Sequence, residues 1–349
     1  MRKQITRAGK TPIWSQLRGQ NNEGILLAVL IVLVVVMSIV SRDFLQISTL
    51  FAIIRSSIVP LIFALGVLLV IISGGIDVSF AAIAVFSAYA TVTAQLTFAV
   101  DFGLIGSFLF AMVLGTLLGL INGYIISKFR LPTLIVTLGT QGIFQGVLMT
   151  YVGSRYIADL PAGMASASTV NLVTLPTANG VALLHVMIIP AVVLTLAVSW
   201  LLNRTMFGRF IYAIGGDEES ARRAGINVKS VQMRVYMIVG VMAAIGGVIY
   251  MVMGRSASPK ELIGGELDII AAVVLGGASI FGGYGSVKGT VLGVLLVQLI
   301  NNSLILVGVP SAWQRAAVGV LLIVGVSIQA ISAKRARKQV GVLPEETVK

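Results

Sequence analysis

Few side chains in this sequence are able to do chemistry, and most of them sit beside glycine pairs. Asp77 follows Gly74 and Gly75 in SGGIDVSF, and Glu266 follows Gly264 and Gly265 in IGGELD. A third pair, Gly276 and Gly277, opens the run GGASIFGGYGSVKGT. Glycine pairs permit helix breaks and close helix approach, and tight packing accounts for most of them. A carboxylate at such a break either caps the next helix or lines a pathway, with capping the favoured role for Asp77. Amides also lie within otherwise apolar stretches, namely Asn122, Gln141, Gln145, Gln298, Asn301 and Asn302. An amide offers donors and an acceptor, which suits a neutral, hydroxyl-rich solute. It serves equally as an interhelical hydrogen bond, and that duller role is the commoner one.

Several chemistries are excluded. The chain has no cysteine and a single histidine, His185, so it has no thiolate nucleophile or disulfide and too few ligands for metal chemistry. GGYGSVKGT superficially looks like a phosphate loop, but Lys288 precedes Gly289, so the required G-x-x-x-x-G-K-[ST] spacing fails and no nucleotide site is expected. With no H-E-x-x-H and no paired carboxylates in the apolar stretches, the chain is expected to be neither an enzyme nor a holder of cofactor or metal. His185 is expected to be a packing or interfacial residue.

The most charged stretch is NRTMFGRFIYAIGGDEESARRAGINVKSVQMR at 203–234. Asp217 can cap a helix whose first turn holds Glu218 and Glu219; Ala221 falls mid-helix, Arg222 and Arg223 fall in its last turn, and Gly225 follows as a stop. About two helical turns are not stable alone in water, so something must hold them. One reading is a helix resting on lipid headgroups. The other is a docking element for a cytoplasmic partner, since an acidic start is an unusual choice against an anionic leaflet.

The elements that must position these residues follow from composition. Of 349 residues, 57% are hydrophobic and 11% charged, against roughly 25% charged in a soluble domain. Ten stretches of at least 18 residues lack Asp, Glu, Lys and Arg: 24–41, 56–76, 78–100, 102–127, 131–154, 160–203, 235–254, 269–287, 289–314 and 316–333. They predict an all-α polytopic membrane protein of about ten transmembrane helices. In the sixth stretch, 181–202 reads as the span and the Pro161-to-Gly180 part as loop. The first is taken as a retained helix, since no small-x-small cleavage pattern follows it.

The net charge of +12 would suggest nucleic acid in a polar protein. Here 19 of the 25 Lys and Arg fall in segments that the positive-inside rule assigns to the cytoplasm, so the partner is the bilayer, and both termini are expected inside. The expected organisation is a basic cytoplasmic segment at 1–23, a transmembrane domain at 24–333 and a cytoplasmic tail at 334–349. GGID at 74–77 and GGELD at 264–268 stand five spans apart, and GTLLGLING from Gly115 matches GTVLGVLLV from Gly289. An odd spacing reverses direction, the pattern of an inverted repeat.

Four stretches carry a resemblance to a known family: IISGGIDVS at 71–79, LPTLIVTLGT at 131–140, TMFGRFIYAIGGDEESARRAGINV at 205–228, and ELDIIAAVVLGGASIFGGYGSVKGTVLG at 266–293. The chain resembles the permease subunits of bacterial ABC importers for monosaccharides, the ribose, xylose and galactose branch. That resemblance implies a core of two permeases, identical or sister chains, in the bacterial inner membrane. It also implies a cytoplasmic ATPase that uses ATP and Mg, an external solute-binding protein, and a coupling helix at 217–227. One departure is visible: where the family carries a Val-Gly pair after GGIDVS, this chain has Phe80 and Ala81, and the bulkier Phe80 would narrow the start of the third span. The competing reading is an ion-coupled secondary transporter of a small polar solute. Against it, none of the ten runs contains an acid or base other than His185.

Overall fold

The computed structural model describes residues 23–177 and 180–310, with Trp313, Ala316, Gly319, Val320 and Ile323 as isolated further positions. Most of the segment 1–23, nearly all of the expected tenth span and the tail 334–349 lie outside the described residues. The helices of the first half are α1 (Glu23–Val40), α2 (Ile47–Ile72), α3 (Phe80–Thr97), α4 (Gly103–Phe129) and α5 (Thr133–Val147), the last continued by a π-helical turn at Leu148–Val152. A short helix α6 (Ala162–Ala167) and two strands, β1 (Asn171–Thr177) and β2 (Gly180–His185), follow. The second half holds α7 (Ile188–Arg204), α8 (Met206–Gly216), α9 (Glu218–Arg223), α10 (Val228–Gly254), α11 (Glu266–Leu275) and α12 (Val287–Leu306).

Ten charge-free runs do not make ten spanning helices. Among the described residues six helices are long and apolar enough to cross a membrane, and α7 with α8, bent by 73°, makes a seventh if counted as one broken span. The eighth run holds only α11, ten residues and so about 15 Å of helix. Beyond it the backbone takes positive φ at Gly277, Gly282, Gly283 and Gly285, which no continuous helix allows. Lack of charge therefore marked an apolar segment, not a helix. In the sixth run the expected loop contains α6 and a hairpin, and residues 181–185 are strand, so the helix begins only at Ile188. The signal was present in Asn179-Gly180, a strong hairpin pair.

The core is built on α2 and α10, which pack on each other. Every residue of α2 from Ile62 to Ile72 is buried, as expected of a helix apolar all round. Packing is reciprocal in the way an inverted repeat requires: α3 and α4 lie on α10, and α11 and α12 lie on α2. The glycines matched between the halves nonetheless do different work. A Cβ on Gly240 of α10 would stand 2.0 Å from the Gly115 carbonyl of α4, whereas one on Gly289 would stand 1.9 Å from the Gly276 carbonyl at the end of α11.

β1 and β2 pair antiparallel, with Thr177 opposite Gly180 and Asn171 opposite His185. His185 is buried, its Nδ1 accepting from Met187 N at 3.2 Å and its Nε2 lying 3.2 Å from the Ser168 carbonyl. Burial holds the ring below its ordinary 6.5. The unfolded hairpin then binds a proton at higher pH than the folded one, so hairpin stability is full above pH 6.5 and declines as pH falls below it. Cleavage between Val170 and Met187 by a protease active across the range should accelerate on acidification, and His185→Gln should remove that dependence. The α4–α10 contact predicts a second contrast. Gly240→Leu should cost about 1–3 kcal/mol or more, read as a lowered melting temperature in detergent, because backbone faces the new side chain. Gly142→Ala on α5, where nothing lies within 4 Å, should leave it unchanged.

Candidate functional site: two helix breaks and a charged loop

The first break lies between α2 and α3. Gly74, at φ +86°, ends α2, and Gly74 N and Gly75 N donate back to the carbonyls of Ile71 and Val70. Polar backbone that leaves a helix at membrane depth must find its partners inside the protein. Here α5 supplies them: Ile76 N donates to Thr133 Oγ1 at 2.9 Å and Val78 N to Thr137 Oγ1 at 3.4 Å. Asp77 Oδ1 accepts from Ser79 N at 2.7 Å and from Ser79 Oγ at 2.6 Å, which holds the turn into α3. Asn122 Nδ2 of α4 donates to Ser79 Oγ at 2.7 Å.

This break folds back into the protein. Phe80, the first residue of α3, packs its ring 5.3 Å from that of Phe63, well inside α2. Asp77, Ser79 and Asn122 are all fully buried. Asp77 lies between the end of α2 and the start of α3, at a span end as expected, and that end is buried in the core of the protein. The charge count missed this acid because Asp77 falls between two runs.

The second break precedes α11. Gly264 takes φ +95°, and its N–H donates to Glu266 Oε2 at 2.8 Å. Glu266 Oε1 accepts from Gln141 Nε2 at 2.7 Å, so both carboxylate oxygens are paired. Thr133, Thr137 and Gln141 recur every four residues and share one face of α5. One polar ridge therefore supports both breaks. Thr133 and Thr137 received no role from the sequence, although two hydroxyls one turn apart after Pro132 were the available signal.

At the other end of α11, three glycine pairs meet. Gly283 N donates to the Ile72 carbonyl at 2.9 Å, where α2 ends. A Cβ on Gly215, at the end of α8, would lie 1.7 Å from that same carbonyl and 2.7 Å from Gly283 N. Tyr212 Oη of α8 donates to the Gly285 carbonyl at 2.8 Å. The 203–234 segment is thus in backbone contact with the end of α2 and with the irregular chain after α11. Gly282 and Gly283 are among the glycines that the sequence marks for close approach or a helix break, whereas Gly215 and Tyr212 were not singled out, because a neighbour across the fold leaves no local trace.

The helix α9 forms within that segment. Asp217 Oδ1 accepts from Glu219 N and Ser220 N at 3.0 and 3.3 Å, and the hydrogen bonds from Ser220 hold the carboxyl below its ordinary value. The cap is therefore in place at neutral pH and is lost on strong acidification. Gly225, at φ +84°, closes the helix: Gly225 N donates to Arg222 O and Ile226 N to Ala221 O, a Schellman stop. Arg222 bridges Glu218 and Glu219 at 2.6 and 3.1 Å, and Arg223 reaches Glu219 at 3.4 Å. These exposed pairs are worth little. Ala221 is the buried residue of α9, and its supports are α8 and the start of α10.

The remaining amides divide among separate places. Asn302 Nδ2 donates to Ser56 Oγ at 3.0 Å and to the Gln298 carbonyl at 2.8 Å, joining α12 to α2. Gln298 lines a cavity of about 590 Å³. Asn301 has an unpartnered buried Oδ1, and Gln145 lies half-buried one turn beyond Gln141 on α5. Among the described residues no group of three His, Cys, Asp or Glu could hold a metal ion.

Broken spanning helices, one of which ends against the charged 203–234 segment, mark a multi-pass membrane protein. The family described as "Branched-chain amino acid transport system / permease component" matches residues 49–326, and the chain belongs to it, as a permease subunit of a sugar-type ABC importer. The autoinducer 2 import system permease protein LsrC of Yersinia pseudotuberculosis serotype O:1b is 33% identical over 303 residues, 87% of this chain and 83% of that protein. The proteins of the same name from Yersinia pestis strains Pestoides F and Angola are 32% identical over the same coverage. No solved structure matches.

The junction of glycine pairs generates a prediction. Gly215→Ala must displace backbone, since the nearest atoms are a carbonyl and an amide nitrogen. Uptake by the assembled transporter should fall at least about tenfold, the equivalent of 1.4 kcal/mol, with the protein still in the membrane. Gly216→Ala, with nothing within 4 Å, should transport normally.

Proposed function

We propose that this chain carries a monosaccharide or related neutral polyol into the cytoplasm, driven by ATP that a partner ATPase hydrolyses with Mg. The observation that supports this reading best is the backbone contact of the 203–234 segment with both the end of α2 and the chain after α11. A force applied at α9 reaches the end of α2 and the chain after α11 through one short helix, α8. In this reading Asp217, Glu218, Glu219, Ala221, Arg222, Arg223 and Gly225 form the coupling helix, both termini are cytoplasmic, and a solute-binding protein delivers the solute from outside. The transporter contains a second permease, a copy of this chain or a sister. ATP can drive the change only by binding to the ATPase differently in the two permease states. The names of the relatives make autoinducer 2 the first solute to test.

Uptake by the complete complex in proteoliposomes should require ATP and survive collapse of the proton gradient. Gly225→Pro removes both the N–H donated to Arg222 O and the positive φ, so it should abolish uptake and weaken ATPase association while membrane insertion is kept. Normal association and transport in that variant would sink the coupling role. Uptake by this chain alone, driven by a pH gradient, would favour the ion-coupled transporter instead.

A further inference from the structure

We propose that Asp77, Ser79 and Asn122 form a binding site for the hydroxyl groups of the transported solute, closed on one side by Phe80. The proposal rests on the reading of this chain as a polyol permease and assigns that function a place within the chain.

The hydrogen bonds of this cluster run in one direction. Asn122 Nδ2 donates to Ser79 Oγ, and Ser79 Oγ donates to Asp77 Oδ1. What remains are two acceptors, Asp77 Oδ2 and Asn122 Oδ1, both buried and without a partner among the described residues. Buried polar atoms are normally paired, and each exception calls for an explanation. A purely structural capping role does not supply one, because the chain contains the comparison: Glu266, at the matching break, uses one oxygen for Gly264 N and the other for Gln141. Asp77 completes its turn with Oδ1 alone. The group that two idle acceptors would take is a donor, and a sugar hydroxyl is a neutral donor that brings its own acceptor lone pairs.

A route to this cluster is also present. The cavity of about 590 Å³ lies among α2, α10, α11 and α12, a volume in the range of small-molecule sites. Its walls carry Arg55, Ser56, Tyr250 and Gln298, and Phe63 and Phe80 also line it. Those two rings are 5.3 Å apart and inclined by 49°, and both residues are buried. Phe80 directly follows the Asp77–Ser79 turn in the chain. Phe80 thus borders the cavity and directly follows the turn that carries the idle acceptors, and the proposal takes its ring as the barrier between the two.

Because the chain contains no cysteine, single cysteines report access directly. Asn122→Cys and Ser79→Cys would be made with Phe80 retained, with Phe80→Ala and with Phe80→Leu, each in the complete transporter in sealed proteoliposomes. Labelling would use a small membrane-impermeant cationic methanethiosulfonate applied on the side of Arg55. The expected result is labelling at least tenfold faster in the Phe80→Ala background, with Phe80→Leu intermediate, in preparations that elute as folded protein. Equal rates in all three backgrounds overturn the gate. This readout needs no solute, so it stands apart from the question of which polyol is carried. For the hydroxyl site, Asp77→Asn replaces one acceptor oxygen by a donor and keeps the shape; ATP-driven uptake of autoinducer 2, or of D-ribose, should fall at least tenfold. Unchanged uptake by Asp77→Asn overturns the site, whereas absence of uptake by the wild-type transporter overturns the polyol reading itself.

Discussion

Everything in this structure depends on one constraint: backbone that leaves a helix in an apolar medium has no water to bond with, so its donors and acceptors must be paired inside the protein. The chain meets that requirement with side chains from elsewhere in the fold. At the first break, hydroxyls of Thr133 and Thr137 stand in for helical carbonyls. At the second, Glu266 and Gln141 complete each other and the Gly264 amide. After α11, the Ile72 carbonyl at the end of α2 takes the Gly283 amide. Each break is thereby tied to a distant element, and none can move without breaking or exchanging a hydrogen bond.

Those ties give the fold a mechanical character. α5 holds both breaks through one ridge, so a rotation or shift of α5 acts on both together. α8 is pressed between the other ends of the same segments with no side chain at Gly215 to yield. Backbone against backbone is a stiff contact, and a stiff contact transmits displacement where a layer of flexible side chains would absorb it. The short helix α9 adds no stiffness of its own: six residues with exposed ion pairs and a single buried alanine cannot stand without neighbours. Its open charged face suits a protein surface that would complete it.

What could be read from the sequence was what is decided locally. The Asp217 cap and the Gly225 stop depend on residues within a few positions of each other, and the structure has a helix there with both ends as spacing suggests. The glycine pairs at 74, 264 and 276 marked real interruptions for the same reason. Depth and partnership were not local. Asp77 was legible as the residue between two spans, but nothing in SGGIDVSF says that this end is buried or that Phe80 packs against Phe63. Gln141 was legible as an amide suited to an interhelical hydrogen bond, but its partner, Glu266, is 125 positions away and could not be named. The count of spans failed at α11, where apolar composition was shared by half-helix and irregular chain, and at the hairpin the start of a span was misplaced because strand is as apolar as helix.

The inverted repeat sharpens the meaning of these pairings. Reciprocal packing of α3 and α4 on α10, and of α11 and α12 on α2, places two acid-headed breaks in related positions. If the acids served only to end one element and start another, the two sites should be satisfied to the same degree. They are not. Glu266 is saturated by a backbone amide and a side-chain amide, while Asp77 keeps an oxygen idle in a fully buried setting. Leaving a carboxylate oxygen unpaired away from water is costly, and a protein that pairs both oxygens of the acid at one break has the means to do so at the other. The difference is therefore a property of the first break itself. One half of the repeat is built to hold its shape, and the other retains bonding capacity for a visitor.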